Sequence, residues 1–273
     1  MYPEIIRFGD FAISSFGLMM VIAFLTGNYL LRRDMNRFGQ PPELADEFTF
    51  RAAIGGILGA KIYYIIENIP SGYGAENLRG LWDIIAGIFT LSGSRLAGGI
   101  HNFGAGMVFY GGAIGGFLAV MFFVHKHELS VAKVADWIAP YLVLGHAIGR
   151  IGCFLVGDDY GIPSSLPWAV AFPKGAPPID IPVHPTQIYE VIMYSLIFIF
   201  LYRKRLKEHF NGELISYYMI LVGIARFSIE FIRTNTKYFL NLSGAQYISI
   251  ILMITGAALL YRNNHSKGVN STD

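Results

Sequence analysis

Apolar residues run along the chain in long blocks separated by polar connections. A sliding apolar reading marks seven blocks, roughly 12–31, 48–67, 106–124, 132–149, 188–202, 214–232 and 245–261. Stretches long enough to cross a hydrocarbon core as a helix thus recur along the chain. None alternates apolar and polar residues with the period of two that a transmembrane barrel requires. The pattern predicts an all-α polytopic membrane protein with about seven transmembrane helices, and a single integral-membrane domain over 1–273.

The connections are of two kinds. "RRDMNRFGQPPELADE", "HKHE", "YRKRLKEHFNGE" and "RNNHSK" are basic, whereas the stretches around 68–105, 157–187 and 233–244 are long or Pro/Gly-rich. The first set carries ten Lys and Arg: Arg32, Arg33, Arg37, Lys126, Arg203, Lys204, Arg205, Lys207, Arg262 and Lys267. The other side, counting the N-terminus with the second set, carries six over far more residues: Arg7, Arg79, Arg95, Lys174, Arg233 and Lys237. The positive-inside rule then predicts an N-terminus outside and a C-terminus in the cytoplasm, which an odd number of spans satisfies. The two larger outer connections are expected to form a small extracytoplasmic cap. Within them 83–96 reads either as an interfacial helix or as a re-entrant piece.

Composition sharpens the class. Of 273 residues 53% are hydrophobic and 15% charged, against about 25% charged in soluble domains, and mean hydropathy is +0.46. A net charge of +2 gives no reason to expect a nucleic-acid partner. The single cysteine, Cys153, excludes an internal disulfide. The N-terminus lacks a basic region leading into a short apolar core, so the first block reads as a retained span.

Five basic residues fall inside or at the ends of the blocks: Arg51, Lys61, Lys133, Arg150 and Arg226. An Arg at a helix centre costs about 2.5–3.5 kcal/mol on insertion scales, so such residues line cavities or pair. Arg51 and Lys133 lie at block ends where they snorkel. Arg226 shares a helix face with Glu230 and Arg233 in "ARFSIEFIR", so a salt bridge from Arg226 to Glu230 is expected. Arg150 is then left uncancelled unless Asp158 or Asp159 folds back on it. In "GMVFYGGAIGGFLAV" the glycine pairs 111/115 and 112/116 suit close helix packing, beside the polar ring of Tyr110. The connection 158–190 closes on His184, Gln187, Tyr189 and Glu190, with no metal-ligand spacing. Arginines facing the outer half of a bundle suit an anionic lipid headgroup, because guanidinium grips phosphate through paired hydrogen bonds. Binding, transport and catalysis all remain open on these residues alone.

"GRIGCFLVGDDYG" (149–161) resembles the signature of the bacterial prolipoprotein diacylglyceryl transferases, G-R-x-G-N-F-x-N-x-E-x-x-G. Gly149, Arg150, Gly152, Phe154 and Gly161 match; Cys153, Val156 and Asp158 stand for the two asparagines and the glutamate. "GGILGAKIYYII" is similar to the family's G-x-R-x-x-Y segment, with Lys61 for the arginine and Tyr64 for the tyrosine. "MVFYGGAIGG" is similar to its F-H-G-G-L-x-G block with Tyr110 for histidine, "HPTQIYE" to H-P-S-Q-L-Y-E, and "ARFSIEFIR" to R-x-x-x-E-F-x-R. Phe16 stands where the family commonly has a tyrosine. The order and spacing of these segments agree along nearly the whole chain.

The resemblance implies an enzyme of the bacterial inner membrane that moves the diacylglyceryl group of phosphatidylglycerol to the lipobox cysteine of preprolipoproteins, releasing glycerol 1-phosphate. It implies no metal and no cofactor. It assigns Arg150, Arg226 and Tyr110 to catalysis, with Arg150 on the lipid phosphate. Lys61, Tyr64, Asp158, Gly161, His184, Gln187, Glu190, Glu230 and Arg233 are assigned to substrate binding. A related lipid-dependent transferase with another acceptor, or a non-catalytic protein that binds or transports anionic lipid, would use the same arginines.

Overall fold

The computed structural model describes residues 2–8, 11–104 and 106–269. Its described residues form nine α-helices and two small antiparallel hairpins. The helices are α1 (Ser15–Arg37), α2 (Glu43–Glu67), α3 (Tyr73–Phe89), α4 (Gly93–Gly104), α5 (Phe109–Lys126), α6 (Val131–Val156), α7 (Thr186–Lys204), α8 (Glu213–Ile229) and α9 (Gly244–Val269). Strand β1 (Glu4–Phe8) pairs with β2 (Phe11–Ser14), and β3 (Val170–Phe172) with β4 (Ile179–Val183). The expected helical class holds, with one hairpin ahead of α1 and the other between α6 and α7.

Five segments are long and apolar enough to cross a bilayer: Ser15–Arg37, Glu43–Glu67, Val131–Val156, Glu213–Ile232 and Gly244–Arg262. Tyr110–Lys126 is a shorter apolar helix. Helix α7 is not among the five; its N-terminal part carries Thr186, Gln187 and, one turn in, Glu190, and its last turn Arg203 and Lys204. The first block also starts later than its hydropathy suggests. Ser14 closes β2 and its side chain accepts the N–H of Gly17, so helix begins at Ser15. The segment 83–96 is neither a single helix nor a single dip: it breaks at 90–92. Thr90 Oγ1 donates to the Ala86 carbonyl and Leu91 takes φ 51°, turning α3 back into α4.

The chain divides into two compact units, 1–42 with 130–273 and 43–129. In the second unit α2 and α5 touch backbone to backbone. A Cβ on Gly59 would lie 2.3 Å from the Gly111 carbonyl oxygen, and one on Gly115 would lie 2.3 Å from that of Gly55. The paired glycines of "YGGAIGG" thus serve close packing, where attraction between lipid-embedded helices comes from van der Waals contact.

In the first unit the core is built by α6, α7 and α8: Ala139, Val143 and Ala147 face Tyr194, Leu201, Leu214, Val222 and Ala225. The spacing on α6 is four residues, and three further on the same stripe lies Arg150. On α8 the stripe runs from Val222 through Arg226 to Glu230. On α7 it runs from Leu201 back through Tyr194 to Glu190. One helical face, apolar at mid-depth, becomes charged at the same end on three helices. The opposite end holds a separate buried cluster, where Arg205 and the Tyr141 hydroxyl both donate to Asp34. There Asp136 Oδ2 accepts the Gly212 N–H at 2.6 Å and Oδ1 that of Ile215 at 2.9 Å, capping α8.

Candidate functional site

Glu190 is fully buried and is the centre of the charged end. Its Oε2 lies 3.1 Å from Arg150 Nε and 3.6 Å from Arg233 Nη1, and its Oε1 3.3 Å from Arg226 Nη1. Tyr194 OH adds a hydrogen bond to Oε1 at 3.3 Å. A second buried carboxylate, Glu230, sits 3.1 Å from Arg226 Nη2 and 3.8 Å from Arg233 Nε, and accepts Asn235 Nδ2 at 2.6 Å. The expected Arg226–Glu230 bridge is therefore present, but as one edge of a network.

Asp159 completes that network. It accepts Arg150 Nη1 at 2.7 Å and also pairs with Arg233. Asp159 takes φ 61°, just past the helix stop at Gly157 (φ 77°), so the chain doubles back over Arg150. Burial alone would raise the Asp159 pKa, but the guanidiniums of Arg233 and Arg150 outweigh it and hold the carboxyl below the ordinary range. Asp158 behaves oppositely, pushed up mainly by burial. Its carbonyl accepts Gln187 Nε2 at 2.5 Å, while its own Oδ1 is buried without a hydrogen bond.

Local packing explains why distant segments meet. Gly161 N–H donates to the His184 carbonyl at 2.9 Å, and Gly161 bridges Arg233 as a short antiparallel pair. A Cβ at 161 would lie 2.5 Å from the Ile232 carbonyl oxygen and 2.8 Å from Thr186 Cγ2. Thr186 Oγ1 in turn donates to the Asp159 carbonyl at 2.6 Å. Gly161 thus acts as the junction that brings 159, 184–190 and 233 together. At the rim, Trp168 Nε1 donates to Tyr189 OH at 2.7 Å, and His184 Nδ1 lies 3.2 Å from the same hydroxyl.

Three guanidiniums and three carboxylates make the network neutral, but they are not equally accessible. Arg233, Glu190 and Glu230 are buried, whereas Arg150 and Arg226 each leave 21% of the side chain exposed, and Asp159 40%. The open face is thus two arginines and one carboxylate. Cys153 Sγ, Asp158 and Asp159 bring donor atoms within 4.8 Å of one another. Arg150 Nη1 lies 3.4 Å from that sulfur and 2.7 Å from Asp159, so a cation there would meet a fixed positive charge.

The structure therefore brings together Arg150, Arg226, Glu230, Arg233 and Glu190, with Gln187, Asp158, Gly161 and His184 around them. Glu190 is placed behind the arginines rather than on the open face. Sequence reasoning left Asp159 as one of two aspartates and missed Asn235 and Thr186, whose roles depend on how the chain folds back. Lys61, Tyr64 and Tyr110 belong to the second unit. There Lys61 Nζ donates to the Gly106 carbonyl at 3.2 Å and lies 5.4 Å above the Tyr64 ring, and Tyr110 is exposed.

Apolar helices ending in a buried guanidinium–carboxylate network define a helical membrane protein with a part-open charged site at one end of α6, α7 and α8. A family model described as prolipoprotein diacylglyceryl transferase matches residues 3–262, running through both units, and the chain belongs to this family. A relative from Clostridium tetani, named phosphatidylglycerol–prolipoprotein diacylglyceryl transferase, is 31% identical over 94% of this chain and 95% of its own. One from Clostridium perfringens, with that name and the number 2, is 32% identical over 95% and 94%. One from Bordetella bronchiseptica is 31% identical over 94% and 95%.

Proposed function

We propose that this chain transfers the diacylglyceryl group of phosphatidylglycerol to the lipobox cysteine of preprolipoproteins in the bacterial inner membrane. The observation that carries the reading is the pair of part-exposed guanidiniums, Arg150 and Arg226, held from behind by the buried Glu190. In this reaction the substrate thiolate forms a C–S bond at the glyceryl carbon. The C–O bond to phosphate breaks, its electron pair leaves on the phosphate oxygen as glycerol 1-phosphate, and the thiol proton passes to water. A thiol of pKa about 8.5 needs little help. The larger demand is charge developing on the leaving phosphate, which preorganised guanidiniums meet in a site of low dielectric.

Arg150 binds the headgroup phosphate and Arg226 shares it, with Glu230 and Arg233 fixing Arg226 and Asp159. Asp159, the exposed acid between Arg150 and Arg233, occupies the position of an anion and yields to phosphate when lipid binds. Gln187, Asp158, Gly161 and His184 support the loop that closes over the phosphate. In the second unit, Lys61 and Tyr64 are assigned to substrate binding and Tyr110 to catalysis, as a hydrogen-bond donor in place of the family histidine.

The membrane arrangement belongs to the same proposal: seven spans, with α5 and α7 joining the five apolar segments named above, N-terminus outside and C-terminus in the cytoplasm. The reaction is tested with purified protein, phosphatidylglycerol and a lipobox peptide, reading the peptide's mass; an unmodified peptide overturns it. Reporter fusions at 204–207 and at the C-terminus should both read as cytoplasmic.

A further inference from the structure

The four cations of "YRKRLKE" at the end of α7 point to different partners. Arg205 turns into the core and is used by Asp34. Lys204 is used by α8, with Nζ 2.7 Å from Glu213 and 5.1 Å from the Tyr217 ring centre. Arg203 and Lys207 have no side-chain partner among the described residues. Both line the mouth of a groove of about 510 Å³ between α7 and α8. Its walls are apolar: Leu196, Ile199 and Phe200 are on the same α7 face, and Tyr217 closes it from α8, its ring edge-on to Phe200 at 5.6 Å. Leu196, Ile199 and Phe200 are exposed by 62%, 43% and 43%. Arg203 lies thirteen residues beyond Glu190, about 20 Å along a helix axis, so this groove is at the other end of α7 from the arginine network.

We propose that the groove holds one anionic phospholipid of the leaflet opposite the arginine network. Its phosphate sits at Arg203 and Lys207, and an acyl chain lies along Leu196, Ile199, Phe200 and Tyr217. Charge complementarity selects this occupant. Two uncompensated cations at the polar end of an apolar channel match a headgroup phosphate above a hydrocarbon tail, and the Lys204–Glu213 pair fixes the wall between them. The cations at a helix end also offset its macrodipole, but that role places no demand on a concave apolar wall beside them. The site is separate from the proposed reaction and rests only on the proposed spanning of the bilayer by α7.

The test uses the full chain in bilayer discs of phosphatidylcholine doped with phosphatidylserine that carries a photoactivatable group on its acyl chain. Phosphatidylserine is anionic and lacks the substrate headgroup. Label is mapped to peptides after irradiation. We expect labelling of 196–200 about tenfold above that from the matching phosphatidylcholine probe, and a fall to that level in R203Q/K207Q. Both side chains are exposed, so this variant should unfold at the wild-type temperature; an early-melting sample is replaced by the single variants R203Q and K207Q, each of which should lower the labelling, and unchanged labelling in both overturns the proposal. Equal labelling by the two lipids overturns the proposal, as does labelling unchanged in R203Q/K207Q. Displacement of the label by millimolar inorganic phosphate also overturns it, because the groove would then be a site for a soluble anion.

Discussion

Glu190 Oε2 lies 3.1 Å from Arg150 Nε, and the carboxylate is fully buried while the arginine keeps a fifth of its surface open. The same carboxylate reaches Arg226 and Arg233. One buried charge on α7 thus sets the aim of guanidiniums from α6 and α8. Glu190→Gln keeps the shape and a hydrogen bond for Tyr194 but leaves the arginines short of a counter-charge. Breaking a buried pair from one side costs about 3–5 kcal/mol. Thermal unfolding of the inserted protein should fall accordingly, and transfer to a lipobox peptide should drop with it. Wild-type stability together with wild-type rate would show that the arginines hold their positions without Glu190.

Arg150→Lys preserves charge and discards the fork. Lysine is a point donor and cannot contact two phosphate oxygens in the paired geometry. We expect a loss in turnover of about 100-fold or more, in the range seen when one oxyanion donor is removed. Initial rates at saturating phosphatidylglycerol decide this, and near-normal turnover would mean that charge alone suffices.

Gly161→Ala should be far more damaging than Gly145→Ala, although both exchange one glycine in or beside the signature segment. A Cβ at 161 meets the Ile232 carbonyl at 2.5 Å, whereas one at 145 meets nothing within 4 Å. The first substitution pushes Asp159 and Arg233 apart; the second leaves the site intact. Parallel measurements of activity and membrane-inserted yield separate them.

Asp159 carries a pH signature. Its pKa is lowered in the folded protein by Arg233 and Arg150 against the opposing effect of burial. Its stabilisation is therefore fully present above the unfolded value of about 3.9 and is lost as pH falls through the lower folded value. Melting temperatures of wild type and Asp159→Asn, followed from pH 6 downward, should converge below about pH 4. Parallel curves would mean that the carboxylate is not coupled to the arginines.

Tyr110→His should retain function, because the related family block carries histidine there, and Tyr110→Phe should lose only a modest factor with little change in pH profile. A phenol hydroxyl is a competent hydrogen-bond donor, and a thiol needs little help from a base. A nearly inactive Phe variant with a strongly acid-shifted His profile would instead identify Tyr110 as the base that draws the thiol proton.

Much of this protein is determined by its sequence. Long apolar blocks specify membrane helices because unpaired backbone is too costly in lipid, and the glycine pairs of α5 specify close contact. The family motifs mark Arg150, Arg226, Glu230 and Arg233, and spacing on one helix suffices for the Arg226–Glu230 pair. Tertiary structure decided the rest. That Glu190 is a shared hub, and that Asp159 rather than Asp158 reaches Arg150, depends on a left-handed residue and on a glycine junction between segments over seventy residues apart. Local periodicity carries no information about which side chains meet across such a distance. Nor does hydropathy show that Arg203, Lys204 and Arg205 part company, since their directions follow from which neighbouring helix each one faces.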